Sequence, residues 1–201
     1  MIPSLITSLV FYSFITSVTP GPNNLMLLTS GANFGFIRST PHILGISFGF
    51  FVMLLSVGFG VGALLSTFPT LHIVLKLMSG VYLLYLSWRI AMTRSIGKSK
   101  DISQRPMTFL GASAFQWINP KVWVMALTAI AMYTNTIHPF SSVVIVSIIF
   151  AAINLPSVAL WASCGTMLRH FLDDPVRLKW FNITMGLLLA LTLWPLMMSS
   201  T

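Results

Sequence analysis

Apolar residues run along this chain in long stretches, separated by short polar or turn-forming segments. Ile43 to Leu65 is one such stretch, and it shows no alternation of inward and outward positions. A membrane-spanning helix needs about 20 mostly apolar residues, and the pattern predicts six of them. They lie at about 4–30, 41–65, 71–92, 107–133, 139–168 and 180–198. The breaks carry turn chemistry: Gly31 to Gly35 before Arg38, Pro69 after Thr67, and His138-Pro139 after Thr134-Asn135. Two connections are more polar, residues 93–106, read as a cytoplasmic loop, and residues 169–179. No soluble domain fits anywhere, so residues 1–201 are read as a single transmembrane domain. An outer-membrane barrel would show alternating segments of about ten residues, which these runs do not. The predicted class is an all-α integral membrane protein.

Composition agrees. Charged residues make up 7% of the 201 positions and apolar ones 56%, against about 25% charged in a soluble domain. Too little charge is left to coat a water-facing surface, which excludes a soluble enzyme. The net charge of +8 does not indicate nucleic acid, because the cations flank apolar runs and form no stripe with interleaved aromatics. A basic rim facing acidic lipid is the reading. The lone cysteine, Cys164, excludes an intramolecular disulfide and a cysteine metal cluster. The N-terminus lacks the basic region of a signal peptide, so residues 1–18 read as a retained first span.

With six spans, loops 1–2, 3–4 and 5–6 share one side. They hold Arg38, then Arg89, Arg94, Lys98, Lys100 and Arg105, then Arg169, Arg177 and Lys179, nine of the eleven cations. The positive-inside rule makes that side cytoplasmic and leaves both termini periplasmic, in the bacterial inner membrane.

A faint internal repeat runs through the chain. Span 1 is interrupted at Thr19-Pro20-Gly21-Pro22-Asn23-Asn24 and span 4 at Asn119-Pro120-Lys121, one hundred residues later. Gly80, Leu83 and Trp88 of span 3 recur as Gly186, Leu189 and Trp194 of span 6, at a constant offset of 106. Three spans per repeat is odd, so the halves would be inverted, as in many secondary transporters, with helices 1 and 4 broken.

Both breaks are candidate chemistry. Two prolines remove backbone donors and disrupt the turn before them, and freed backbone groups inside hydrocarbon are tolerated only beside protein or water. A half-helix starting near Pro22 would aim amides and a positive dipole end at an anionic group such as a carboxylate. Asn23, Asn24 and Asn119 can donate and accept, and so can meet an ammonium group. Lys121 at the centre of a span costs about 2.5–3.5 kcal/mol on insertion scales. It needs a partner, a cavity or a route to the interface. No acid can serve, because Asp101, Asp173 and Asp174 all lie in polar loops and there is no Glu. The candidate substrate-binding set is therefore Pro20, Gly21, Pro22, Asn23, Asn24, Asn119, Pro120 and Lys121.

Without intramembrane carboxylates, neither a divalent-metal site nor a carboxylate proton relay is assembled. No metal or cofactor is expected. His42, near Arg38, reads as an interface residue. Gly45-Ile46-Ser47-Phe48-Gly49 matches a nucleophile-elbow pattern but lies in an apolar helix without triad partners. Gly45, Gly49, Ser56 and Gly60 share a helical face instead and read as a packing stripe, within one chain or between two copies of a homodimer. Asn154 and Pro156 form a candidate hinge in span 5.

The run TPGPNNLMLL, the segments GFIRST and GISFGF, and AFQWINPKVW resemble the LysE/RhtB family of bacterial amino-acid exporters over nearly the whole chain. The resemblance implies export of amino acids or derivatives, driven by the proton-motive force, with protons, substrate and membrane lipid as the partners and no nucleic acid. The first half is most similar to the cysteine and O-acetylserine subgroup, through TPGPNN and through Gly35-Phe36 and Ser39-Thr40. It also places the functional site on Pro20, Gly21, Pro22, Asn23, Asn119, Pro120 and Lys121. The lack of membrane acids fits a small neutral amino acid of the cysteine, O-acetylserine or homoserine and threonine type. An exporter of another small metabolite, or a passive pore on the same scaffold, stays open.

Overall fold

The computed structural model describes residues 3–67, 69–94, 105–135 and 137–194, and among these the secondary structure is helical with no strand. The first predicted span is two helices, α1 (Pro3–Val18) and α2 (Pro22–Phe34), meeting at Pro20-Gly21 with a bend of 56°. Pro22 opens α2 where a missing amide costs nothing, and Gly35, at φ 81°, ends it. Helix α3 (Phe36–Ser56) runs through a π-helical turn, Val57–Val61, into α4 (Gly62–Thr67). Then come α5 (Pro69–Ala91), the short α6 (Phe109–Phe115), a 3-10 turn at Gln116–Ile118, α7 (Pro120–Tyr133), α8 (Pro139–Leu168) and α9 (Pro175–Leu191).

Three stretches are long and apolar enough to cross a membrane by themselves: Phe36–Val61, Ile73–Ala91 and Pro139–Leu168. The bent pair α1–α2 qualifies as a fourth. The fourth predicted span is broken at Asn119, so α7 has only 14 residues. Helix α9 has 17 and begins at Pro175, five residues before its predicted start. Residues 195–198 of that span and residues 95–104 of the polar loop lie outside the described set. Many large apolar side chains, including Leu77, Val81, Trp88, Leu187 and Leu191, point outward from α5 and α9. A surface of that kind suits lipid rather than water, and the chain is a multi-pass helical membrane protein.

Small residues set the packing, since lipid provides little drive for apolar side chains to meet and close backbone approach supplies dispersion instead. Helices α2 and α8 cross at Gly31 and Gly165. A Cβ on Gly31 would overlap the Ala162 carbonyl, and one on Gly165 would overlap that of Leu28. In the α3 stripe, Gly45 lies against Phe109 and Ala112, and Gly49 against Ser113, so these glycines pack α6 of the same chain. Ser113 Oγ also donates to the Gly45 carbonyl at 2.9 Å. Gly60 does not share that role. A Cβ there would meet nothing within 4 Å, and its φ of 120°, which kinks the π turn, is what calls for glycine. Ser56 turns its hydroxyl back to the Val52 carbonyl.

Described residues at the flanks of the three basic connections meet one another. Arg169 packs on Gly35, Asn182 donates to the Thr93 carbonyl at 3.0 Å, and Arg89 donates to the Arg105 carbonyl at 3.2 Å. Helix α1 packs on α8 as α6 packs on α3.

Gly165→Val should lower folding stability by more than about 3 kcal/mol, because a backbone carbonyl cannot yield as a side chain does. Gly80→Ala, in open space, should be neutral or stabilise slightly. Thermal unfolding of the two variants in detergent, followed by size-exclusion recovery, checks both.

Candidate functional site

The break between α1 and α2 leaves the last carbonyls of α1 without helical partners, and three side chains from different elements meet them. Asn24 donates its amide to the carbonyls of Ser17 (2.8 Å) and Thr19 (2.9 Å). Trp161 of α8 donates its indole N–H to Val18 at 3.1 Å. Lys121 of α7 brings its Nζ to the Thr19 carbonyl at 2.5 Å. Lys121 therefore finds its counter-charge at the negative end of a half-helix, where a cation is favoured. Gly21 makes this reach possible: a Cβ there would stand 2.8 Å from Lys121 Cδ.

The second break is built differently. Asn119 caps α7 by accepting from the Lys121 amide at 3.2 Å, and Pro120 takes the first helical position. Its carboxamide nitrogen is buried with no hydrogen-bond partner. Helix α2, by contrast, starts at an extended Gly21 with no side chain capping it. One break thus has an uncapped N-terminus, and the other contributes an unused donor.

Both face one cavity, lined also by Thr16, Ser17, Gln116 and Asn154. It has about 20 Å³ of room, enough for one or two water molecules and too little for an amino acid. Asn23 and Gln116 pair through their amides, with Asn23 Nδ2 donating at 2.8 Å and Gln116 Nε2 returning at 3.3 Å. Asn154 Nδ2 donates to Ser17 Oγ at 3.1 Å, and Ser47 Oγ donates to Asn154 Oδ1 at 3.4 Å. Asn154 so ties α8 to α1 and α3, while Pro156, two residues on, is exposed and α8 runs unbroken past it.

Of the eight sequence-derived candidates, Gly21, Asn23, Asn24, Asn119 and Lys121 line the cavity. Pro20 is exposed and, like Pro22 and Pro120, shapes the backbone rather than the wall. Sequence reasoning missed Gln116 and Ser17. Gln116 was detectable, since a fully buried amide inside an apolar run needs a polar partner. Ser17 gave no signal. Among the described residues no group of His, Cys, Asp or Glu could hold a metal ion.

Residues 14–199 match the family of LysE type translocators. The chain is similar to the cysteine/O-acetylserine efflux protein of Escherichia coli K12, 31% identical over 192 residues, covering 94% of this chain and 96% of the relative. The protein of the same description from Shigella sonnei is similar to the same extent. No solved structure is a match.

Asn24→Ala should leave the α1 carbonyls short of donors and cost about 1–3 kcal/mol. Asn119→Ala, which removes a cap, should cost about 1 kcal/mol. Tryptophan-monitored thermal unfolding in detergent should rank them in that order.

Proposed function

We propose that this chain, which belongs to the family of LysE type translocators, is a secondary exporter of small neutral amino acids or their derivatives across the bacterial inner membrane. The observation that carries the reading is the pairing of opposite helix ends at one cavity. The carbonyl end of α1 and the uncapped amide end of α2 face it together, a receptor matched to a zwitterion. The substrate carboxylate binds the first amides of α2 and the free Asn119 Nδ2, with the Lys121 ammonium beside them. Its ammonium group takes the carbonyl end of α1 and the oxygens of Asn23 and Ser17. Pro20, Pro22 and Pro120 hold the broken backbone open for this contact, and Asn24 and Asn154 keep the half-helices in register.

No acid among the described residues lines the cavity, which favours a substrate without a side-chain cation. The relatives named for cysteine and O-acetylserine efflux make those two the first candidates. The cavity's small size supports a carrier over a pore, because a substrate enters only when the Asn23–Gln116 pair at its wall parts. Two inverted halves, six spans, periplasmic termini and proton antiport complete the proposal. The exchange of α1–α8 for α3–α6 packing and the contacts among the flanks of the basic connections support the topology. Asn154 and Pro156 stand as the hinge.

The test is overproduction in bacteria with mass spectrometry of the medium for all amino acids and O-acetylserine. One or a few small neutral amino acids should accumulate, and an uncoupler should stop it. Lys121→Ala should cut the rate about tenfold or more while the protein still inserts, as loss of one charge-assisted hydrogen bond requires. Unchanged export in that variant removes Lys121 from the mechanism, and a medium unchanged in every amino acid overturns the substrate class.

A further inference from the structure

A second cavity, larger than the first, opens about 14 Å further along α2, the rise from Asn24 to Asn33 at 1.5 Å per residue. Its volume is about 60 Å³, and its walls include Thr29, Ser30 and Asn33 of α2, His42 of α3, Arg89 of α5 and Arg105. His42 is 2% exposed, and neither ring nitrogen has a hydrogen-bond partner. A buried imidazole always carries at least one N–H, and leaving such a donor unused costs about 1–3 kcal/mol. The polar groups around it are largely spoken for: Ser30 pairs with Ser39 at 2.7 Å, Thr29 turns to the Leu25 carbonyl, and Asn33 pairs with Asn182 through both amides. Two arginines line this cavity, and among the described residues no acid does. Its charge calls for an anion and its buried wall offers an unspent donor.

We propose that this cavity is a second ligand site, the vestibule in which the carboxylate of an outgoing amino acid is first held. His42 donates to the carboxylate from the buried wall, and Arg105 and Arg89 supply the cationic rim. The proposal rests on the exporter reading for its orientation, since the cavity lies among the basic connections that face the cytoplasm. Helix α2 then serves both sites, with Asn23 and Asn24 at the inner one and Thr29, Ser30 and Asn33 at the outer. Met26, a wall of the vestibule, and Phe115, next in the chain to Gln116 of the inner site, belong to one apolar cluster. The two cavities share no lining residue.

The test uses the full chain with Cys164→Ser and Thr93→Cys, which places a thiol on the half-buried wall of the vestibule. It is reconstituted with its cytoplasmic face outward and treated with a membrane-impermeant maleimide. O-acetyl-L-serine should slow labelling about fivefold or more, and O-acetylethanolamine, which lacks only the carboxylate, should not. Protection should survive Asn119→Ala at the inner site and be lost with Arg105→Gln or His42→Leu. Arg105 is exposed, so its variant keeps the test valid if the His42 variant does not fold. In transport, Arg105→Gln should raise KM about tenfold with kcat unchanged. Absent protection, equal protection by O-acetylethanolamine, or its loss with Asn119→Ala overturns the vestibule. Protection that depends on phosphatidylglycerol and not on the amino acid overturns it in favour of a lipid site. Carboxylate-dependent protection in vesicles that transport nothing would sink the exporter reading and leave this site standing.

Discussion

A carbonyl freed from a helix inside a membrane finds no partner in lipid, so every one exposed by a break must be met by another part of the protein or by water in a cavity. The end of α1 is where this demand falls hardest, and meeting it organises the molecule. Asn24 reaches back from the next helix, Trp161 comes from α8 and Lys121 from α7. Three elements, two of them remote in sequence, are thereby bound to one point. The lysine that would be costly alone in hydrocarbon is stabilised by the same carbonyl dipoles that needed a donor.

Close packing makes those reaches possible. Helices α2 and α8 touch backbone to backbone at Gly31 and Gly165, which brings Trp161 and Asn154 onto the end of α1. Gly45 and Gly49 draw α6 against α3, and the turn that follows α6 carries Gln116 to Asn23. Each glycine pair fixes one wall of the central cavity, and a side chain on any of the four would move that wall away from its partner groups.

Two reciprocal amide pairs lie along α2, Asn23 with Gln116 at the inner cavity and Asn33 with Asn182 beside the outer. Amide pairs are neutral and can exchange partners without moving a charge through a low-dielectric interior, where an ion pair would be costly to break. The proposed export of neutral zwitterions calls for contacts of that kind, which a substrate can replace.

The sequence by itself determined the class, the two helix breaks and the absence of membrane acids. These depend on composition and on local chemistry: apolar run length, prolines that remove donors, and the count of carboxylates. Gly21, Asn23, Asn24, Asn119 and Lys121, which line one cavity, were legible as candidates for the same reason, because an amide or a lysine beside a proline break is unusual wherever the chain folds. Only the tertiary structure decided what each of them touches. That Lys121 lies on the Thr19 carbonyl, that Asn24 caps α1 and that Gly60 packs nothing follow from which helices approach which. His42 shows the limit most clearly. Beside Arg38 in sequence it reads as an interface residue, yet α2, α5 and the segment around Arg105 enclose it. Burial is a property of the neighbours a residue acquires in space, and a local stretch of sequence does not encode them.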